Sequence, residues 1–294
     1  MPTEYFEQRE RALLGQRYEQ LYAALQQTAE RGVTVSALRT TPEQFAQRAD
    51  FPLEPSPFCK AAFVVHQPDF KPGRHPYHHA GVFYSQEPSA SSAAPLLGVQ
   101  PGMRVLDLCA APGGKSSQLA AALQGRGVLV SNEYVAARAE ILKSNLERMG
   151  VSNAVVLNET PARIAEALPE FFDRVLVDAP CSGLGVPGKP DARYAKTDAI
   201  IDEIAGIQKK LLDACADYVK PGGVLIYATC TISKRENKEQ AKAFMERNGC
   251  FEKGELSGCL PKDMWKRLYE GFMLQLFPHT DGTEGFFLAK MIRR

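Results

Sequence analysis

Two cysteines, Cys181 and Cys230, stand at the ends of apolar runs, in Asp178-Ala179-Pro180-Cys181-Ser182-Gly183 and Tyr227-Ala228-Thr229-Cys230-Thr231. A thiolate so placed can add to an electron-poor carbon. A third segment, Asp107-Leu108-Cys109-Ala110-Ala111-Pro112-Gly113-Gly114-Lys115-Ser116, ends another apolar run in small residues and two glycines. Such a loop lets backbone approach a ligand, and the helix after it offers unpaired N–H groups at its positive end. Glu133, eighteen residues beyond Lys115, stands close to where dinucleotide folds place the carboxylate that takes ribose hydroxyls. Together they suggest an adenosine-bearing cofactor.

A thiolate beside a methyl donor suits carbon methylation of a pyrimidine. C5 of cytosine is too weak a nucleophile to take a methyl group directly, whereas thiolate addition at C6 turns C5 into an enamine carbon that can. Asp178, holding or sharing a proton near N3, could assist and also accept from the exocyclic amino group, favouring cytosine over uracil. Afterwards the C5 proton must leave and the thiol be expelled, a step a second thiol can assist. A free thiol, with a pKa of about 8.5, is scarcely ionised at pH 7, so the helix N-terminus or Lys115 must favour the thiolate. Spacing does not decide which cysteine attacks.

Plainer readings compete. Gly114-Lys115-Ser116 ends like a phosphate-binding P-loop, but that motif needs glycine where Cys109 stands, which leaves the cradle incomplete. Cys215, Cys250 and Cys259 read as core packing, because free cysteine is among the most buried residue types. The run Arg74-His75-Pro76-Tyr77-His78-His79 matches no standard metal-ligand spacing, and its rings could stack on RNA bases or pack a loop.

These groups need a frame that brings strand ends together. Short apolar runs alternate with helical periods after residue 100, the pattern of a parallel sheet with crossover helices. Strands are expected at Arg104 to Cys109, Gly127 to Glu133, Ala154 to Asn158, Asp173 to Asp178 and Gly223 to Thr229. Val135 to Met149 reads as a helix closed by Gly150. Phe272 to Phe277 and Gly285 to Met291 read as an antiparallel hairpin at the sheet edge. The fold class is therefore α/β, a doubly wound sheet with its ligand outside the strands' carboxyl ends. Residues 4 to 31 read as one amphipathic helix stopped by Gly32, and residues 32 to 80, rich in proline, as short strands and turns. Ser89 to Ala94 reads as a tightly packed helix. The expected division is a small α+β domain over 1–78, a candidate RNA contact, and a catalytic domain over 79–294.

Composition excludes other classes. The 294 residues are 45% hydrophobic and 23% charged, which argues against disorder, collagen and small disulfide scaffolds. Thirty-five basic against 34 acidic residues leave a net charge of +1, so a polyanionic partner would have to meet a local basic face. Lys189, Arg193 and Lys196 against Asp191 give one mild surplus. Seven cysteines without a Cys-x-x-Cys pair read as reduced thiols. Without a signal peptide or an 18-residue apolar run the chain is expected to be cytoplasmic, a monomer with no membrane and no metal.

With these residues in place, the chain from about 78 to 294 resembles the RNA cytosine-5 methyltransferases of the Nol1/Nop2/Sun (Fmu) family. The resemblance rests on Asp107 to Lys115, on Asp178 to Gly183, on Thr229 to Thr231 followed by Glu236 and Asn237, and on Tyr84 with Gln86 to Ser89. It implies a Rossmann-like methyltransferase domain with S-adenosylmethionine as cofactor, Cys230 as nucleophile on C6 and Cys181 assisting release. It further implies that Asp107 and the loop Cys109, Ala110, Ala111, Pro112, Gly113, Gly114 and Lys115 wrap the cofactor. Glu133 would take its ribose, Arg138 lie beside it, and Asp178 serve cofactor or base. Where many members have an aspartate near the adenine, this chain has Thr160, preceded by Glu159. The stretch Leu184 to Asp191 also carries fewer cations than arginine-rich versions. The implied partner is RNA, ribosomal before transfer RNA, with a silent RNA-binding or assembly factor as the alternative.

Overall fold

The computed structural model describes residues 4–27, 31–67, 69–188, 196–257 and 260–294. The chain opens not with one helix but with two, Glu4–Leu14 and Tyr18–Gln26, separated by a 3-10 turn, Gly15–Arg17. Gly15 at φ +54° takes a left-handed conformation that ends the first helix, and Gly32 starts a strand rather than stopping a helix. Phe6, Tyr18, Leu21 and Leu25 pack on Leu184, Ile201 and Ile232. The opening helices thus brace the segments that follow the two candidate cysteines.

Four short strands form an antiparallel sheet: β1 (Gly32–Val35), β2 (Leu53–Pro55), β3 (Ala62–Val65) and β4 (Phe83–Ser85), in the order β2-β3-β1-β4. Phe45, Phe51, Phe63, Phe70 and Phe83 fill its core. A boundary at residue 78 would cut this sheet, because β4 pairs with β1, Val35 facing Phe83. The first sheet therefore extends to Ser85.

The second sheet holds β5 (Arg104–Asp107), β6 (Val128–Asn132), β7 (Ala154–Leu157), β8 (Phe172–Asp178), β9 (Val219–Thr229), β10 (Phe251–Lys253), β11 (Leu268–Tyr269), β12 (Met273–Gln275) and β13 (Phe287–Arg293). Its order is β11-β12-β13-β9-β8-β5-β6-β7, with β10 also on β13. The pairs among β5 to β9 are parallel, while β13 runs antiparallel to β9 and carries the hairpin partner β12. Alternation along the strands feeds two cores. Val175, Val177, Leu225 and Tyr227 face one, and Leu176, Val224, Ile226 and Ala228 face the other. That covering of both faces makes this the expected doubly wound fold. The helix expected at 135–149 is Ala136–Met149, closed by Gly150 at φ +76°. Ser89–Ser92 is a 3-10 turn leading into the helix Ala93–Leu97, with Ser89, Ser91 and Ser92 buried.

Cys215 is fully buried in a core, as expected. Cys250 is exposed, against expectation, just before the edge strand β10. Cys259 and the basic positions Lys189 and Arg193 lie outside the described residues. Among the described residues no helix is long and apolar enough to cross a membrane.

Candidate active site

The strand order turns back between β5 and β8, which opens a crevice beyond their carboxyl ends. A cavity of about 990 Å³ occupies it, lined from β5 by Cys109, Ala111 and Lys115, from β6 by Glu133 and Arg138, from β7 by Thr160, from β8 by Asp178 and Cys181, and from β9 by Cys230. Five successive strands thus each deliver an expected site residue to one space. Asp107, Ala110, Pro112 and Gly114 line a smaller adjoining cavity of about 130 Å³, which also touches Tyr84 and Asp178. Gly113 lines neither. It turns the chain into the helix Gly114–Leu123 at φ +113°, where a side chain would be strained. A Cβ on Gly114 would meet the Tyr84 ring at 3.1 Å, so this position accepts nothing larger without a shift.

The two thiols are neighbours. Cys181 Sγ lies 3.2 Å from Cys230 Sγ. The Cys181 thiol is pushed well above its ordinary value, first by its hydrogen bond with Cys230 and then by burial. Lys115 Nζ donates to Asp178 Oδ2 at 2.7 Å. Burial pulls the lysine down, yet the Asp178 charge and hydrogen bond leave it above its usual value, and Cys230 is close enough to add to that pull. The lone proton-sharing aspartate expected from sequence is thus one half of an ion pair.

Behind the sulfurs lies a hydrogen-bonded polar layer. Glu236 accepts from Ser182 N at 2.8 Å, from Ser182 Oγ, and from Gln208 Nε2 at 3.2 Å. Asn237 donates to Thr231 O at 2.8 Å and accepts from Thr229 Oγ1 at 2.5 Å. Together they fix the residues flanking both cysteines.

Glu133 is buried, accepts from Val135 N at 3.0 Å and faces Arg138 at 3.3 Å. Arg138 also donates to Ala111 O at 2.9 Å, tying the carboxylate to the glycine loop. Thr160 Oγ1 caps the helix Pro161–Ala167 by accepting from Arg163 N, while Glu159 pairs with Arg163. The hydroxyl at this position therefore keeps its proton to donate. Asp107 accepts from Ser116 Oγ at 2.7 Å, but its Oδ1 is buried without a partner, and burial pushes the carboxyl up to about 7.

The sequence did not mark Tyr134, Ile207, Lys210, Leu211, Glu284 or Phe286, which also line the main cavity. Ile207 and Leu211 recur at helical spacing in Asp198–Tyr218 and read as core, although Ile207 is 44% exposed. Glu284 and Phe286 come from the hairpin connection, whose approach to the site is set by the β9–β13 pairing. Of the histidine run, His75 caps the helix Pro76–His79, bonds Asp50 at 3.0 Å and packs edge-on to Phe51.

Residues 94–292 match the family model described as 16S rRNA methyltransferase RsmB/F. The chain belongs to this family. Residues 1–88 match the model for the N-terminal domain of 16S rRNA methyltransferase RsmF, a span that includes all of β1 to β4. Relatives named ribosomal RNA small subunit methyltransferase F are 35% identical over 284 residues in Aliivibrio fischeri (strain MJ11) and 38% over 284 in Vibrio parahaemolyticus. These alignments cover 93% of this chain but 60% and 59% of the relatives, so the chain spans about three-fifths of their length. A crystal structure of a methyltransferase homolog protein from Pyrococcus horikoshii superposes with a TM-score of 0.84 at 27% identity, covering 98% of this chain and 94% of that one. NSun6 from the same organism, solved with SFG, shares the fold at a TM-score of 0.84 and 19% identity, over 99% and 98% of the two chains.

Proposed function

We propose that this RsmB/F-family chain transfers a methyl group from S-adenosylmethionine to C5 of a cytosine in ribosomal RNA of the small subunit, in the cytoplasm, through a Cys230–C6 adduct. The observation that carries this is the 3.2 Å contact of Cys181 and Cys230 in the lining of a cavity they share with Glu133 and the glycine loop. The relatives' names support the class of RNA.

The residues present fit the cofactor. Glu133 offers a buried carboxylate for a ribose diol, the Thr160 hydroxyl a donor near the adenine end, and the unpartnered Oδ1 of Asp107 a place for the ammonium of the methionine part. When bound, S-adenosylmethionine supplies an electrophilic methyl group. The chain's own groups do the rest. Cys181, held protonated beside its neighbour, leaves attack to Cys230, whose sulfur adds to C6 while the Lys115–Asp178 pair supplies a hydrogen bond or proton at N3. Once C5 carries the methyl group a water molecule takes the C5 proton, the electrons of that C–H bond form the C5–C6 double bond as the S–C6 bond breaks, and the Cys181 thiol gives its proton to the departing sulfur and regains one from solvent. The target base must be unpaired or flipped for C6 to meet the sulfur.

Incubation with methyl-labelled cofactor and 16S rRNA, followed by bisulfite sequencing of ribosomal and transfer RNA, tests the reading. One protected cytosine is expected in 16S rRNA. Cys230→Ala abolishes labelling, and Cys181→Ala accumulates a covalent protein–RNA complex. Methylation that survives Cys230→Ala would overturn the assignment of the nucleophile, and protection in transfer RNA alone would overturn the substrate.

A further inference from the structure

A second cleft, of about 390 Å³, lies where the helix Glu4–Leu14, the segment after Cys230 and residues 266–280 meet. Arg17, Lys234, Lys238, Lys266, Arg267 and His279 line it. The acids near it are already answered. Glu10, which also lines it, turns to Arg9 and meets Lys234 more weakly, and Asp281 holds Arg267 at 2.6 Å. Among the described residues Arg17, Lys234, Lys238 and Lys266 have no carboxylate within ion-pairing distance. The whole chain nets only +1, so this surplus is a local concentration. His279 feels it, being held below its ordinary pKa by burial and then by Arg17, with Arg267 adding to the effect against Asp281. Tyr269, 43% exposed, stands in the lining with Lys238 Nζ 5.9 Å from its ring centre.

The cleft is tethered to the reaction centre by the chain itself. Ile232 and Lys234 line it, two and four residues beyond Cys230. Four residues span at most about 14 Å. At about 3.4 Å per stacked nucleotide that is roughly four nucleotides of RNA.

We infer that this cleft holds the RNA backbone to one side of the target cytosine, with Lys234, Lys238, Lys266 and Arg17 on phosphates and Tyr269 against a base. The inference rests on RNA being the substrate. Clustered cations with an exposed ring suit a single strand, whose phosphates release counterions and whose bases stack without regard to sequence. An acidic protein surface would use the charges and leave the ring idle.

Binding of transcribed 16S rRNA at several salt concentrations separates these outcomes for wild-type protein, Lys234→Gln/Lys266→Gln and Tyr269→Ala. The double variant is expected to bind more weakly, with the slope of log K against log salt reduced by about 1.4, roughly 0.7 per phosphate contact on a single strand. Tyr269→Ala weakens binding while leaving the slope unchanged. S-adenosylmethionine affinity and melting temperature, read in parallel, stay at wild-type values and exclude misfolding. Wild-type binding with an unaltered slope in the double variant would remove the cleft from the RNA path and overturn the inference. A wild-type chain that binds the cofactor but no RNA would overturn the RNA reading, and this inference with it.

Discussion

Two carboxylates lie buried at the same edge of the large sheet, and the protein treats them oppositely. Glu236, with 0% exposure, receives hydrogen bonds from the backbone and hydroxyl of Ser182 and from Gln208. Asp107, with 1% exposure, receives one from Ser116 and leaves Oδ1 empty-handed. A buried polar group without a partner costs roughly 1–3 kcal/mol, and Asp107, unlike Glu236, lines a cavity from which a ligand group could reach it. Glu236 is framework for the sulfurs, whereas Asp107 is, on the proposed function, a socket for the cofactor.

Removing the framework should cost most. Glu236→Ala leaves the buried Ser182 N–H without an acceptor and takes one partner each from the Ser182 hydroxyl, which keeps Thr231, and the Gln208 amide, which keeps the Pro180 carbonyl, so about 2–3 kcal/mol of stability should be lost in urea unfolding. The same change frees the residue next to Cys181, so the surviving protein should also clear its RNA adduct slowly. A loss below about 1 kcal/mol would break the contrast, since Glu236 would then be as idle as Asp107.

Asp107→Asn probes the socket, and the sign of its effect follows from the proton. Burial raises the carboxyl from 3.8 to about 7 in the fold, so the folded state binds the proton more tightly than the unfolded chain does. The stability this gives is complete below about pH 4 and disappears as pH rises to about 7. Above that, the wild-type protein without cofactor carries a penalty of a few kcal/mol that asparagine does not. The variant should therefore unfold later than wild type at pH 8 and equally at pH 4, while binding S-adenosylmethionine about 10- to 100-fold more weakly, the worth of one hydrogen bond to a charged group. A variant that is less stable at pH 8, or binds the cofactor undiminished, would make Asp107 ordinary scaffold.

The contrast also shows how far sequence could reach. The continuous apolar runs of β8 and β9, alternating with helical periods such as that of Ala136–Met149, made the doubly wound sheet readable, because each strand is covered by a core on both faces. The residues at strand ends were readable for the same reason, and Cys109, Glu133, Thr160, Asp178, Cys181 and Cys230 meet in one cavity. Partners distant in sequence were not readable. Nothing in Asp178 announces Lys115 as its neighbour, and nothing in Cys250 distinguishes it from buried Cys215. Gly15, which breaks the first helix, sat inside an apolar period that ran through it, and period outweighed the single glycine. Glu236 stood in a motif, yet its role as acceptor for Ser182, 54 residues away, is a property of the folded chain.

The smallest expected effect tests whether the socket is shaped from outside the large sheet. Tyr84, on β4 of the first sheet, donates its hydroxyl to Pro112 O at 3.0 Å, and its ring lies against Gly114. The same carbonyl also accepts from Asn145 Nδ2 at 2.8 Å, so losing the hydroxyl leaves it satisfied. Tyr84→Phe should then cost no more than about 1 kcal/mol in stability and a few-fold in cofactor affinity. Asn145→Ala alone should be similarly mild, but the two together strip Pro112 of both donors beside the loop that carries Ala111 and Lys115. Their combined effect on cofactor affinity should exceed the sum of the single effects by about 0.5 kcal/mol or more, as expected for groups sharing one partner. Strict additivity would show that the first sheet touches the loop without positioning it, and would confine the shaping of the Asp107 socket to the large sheet.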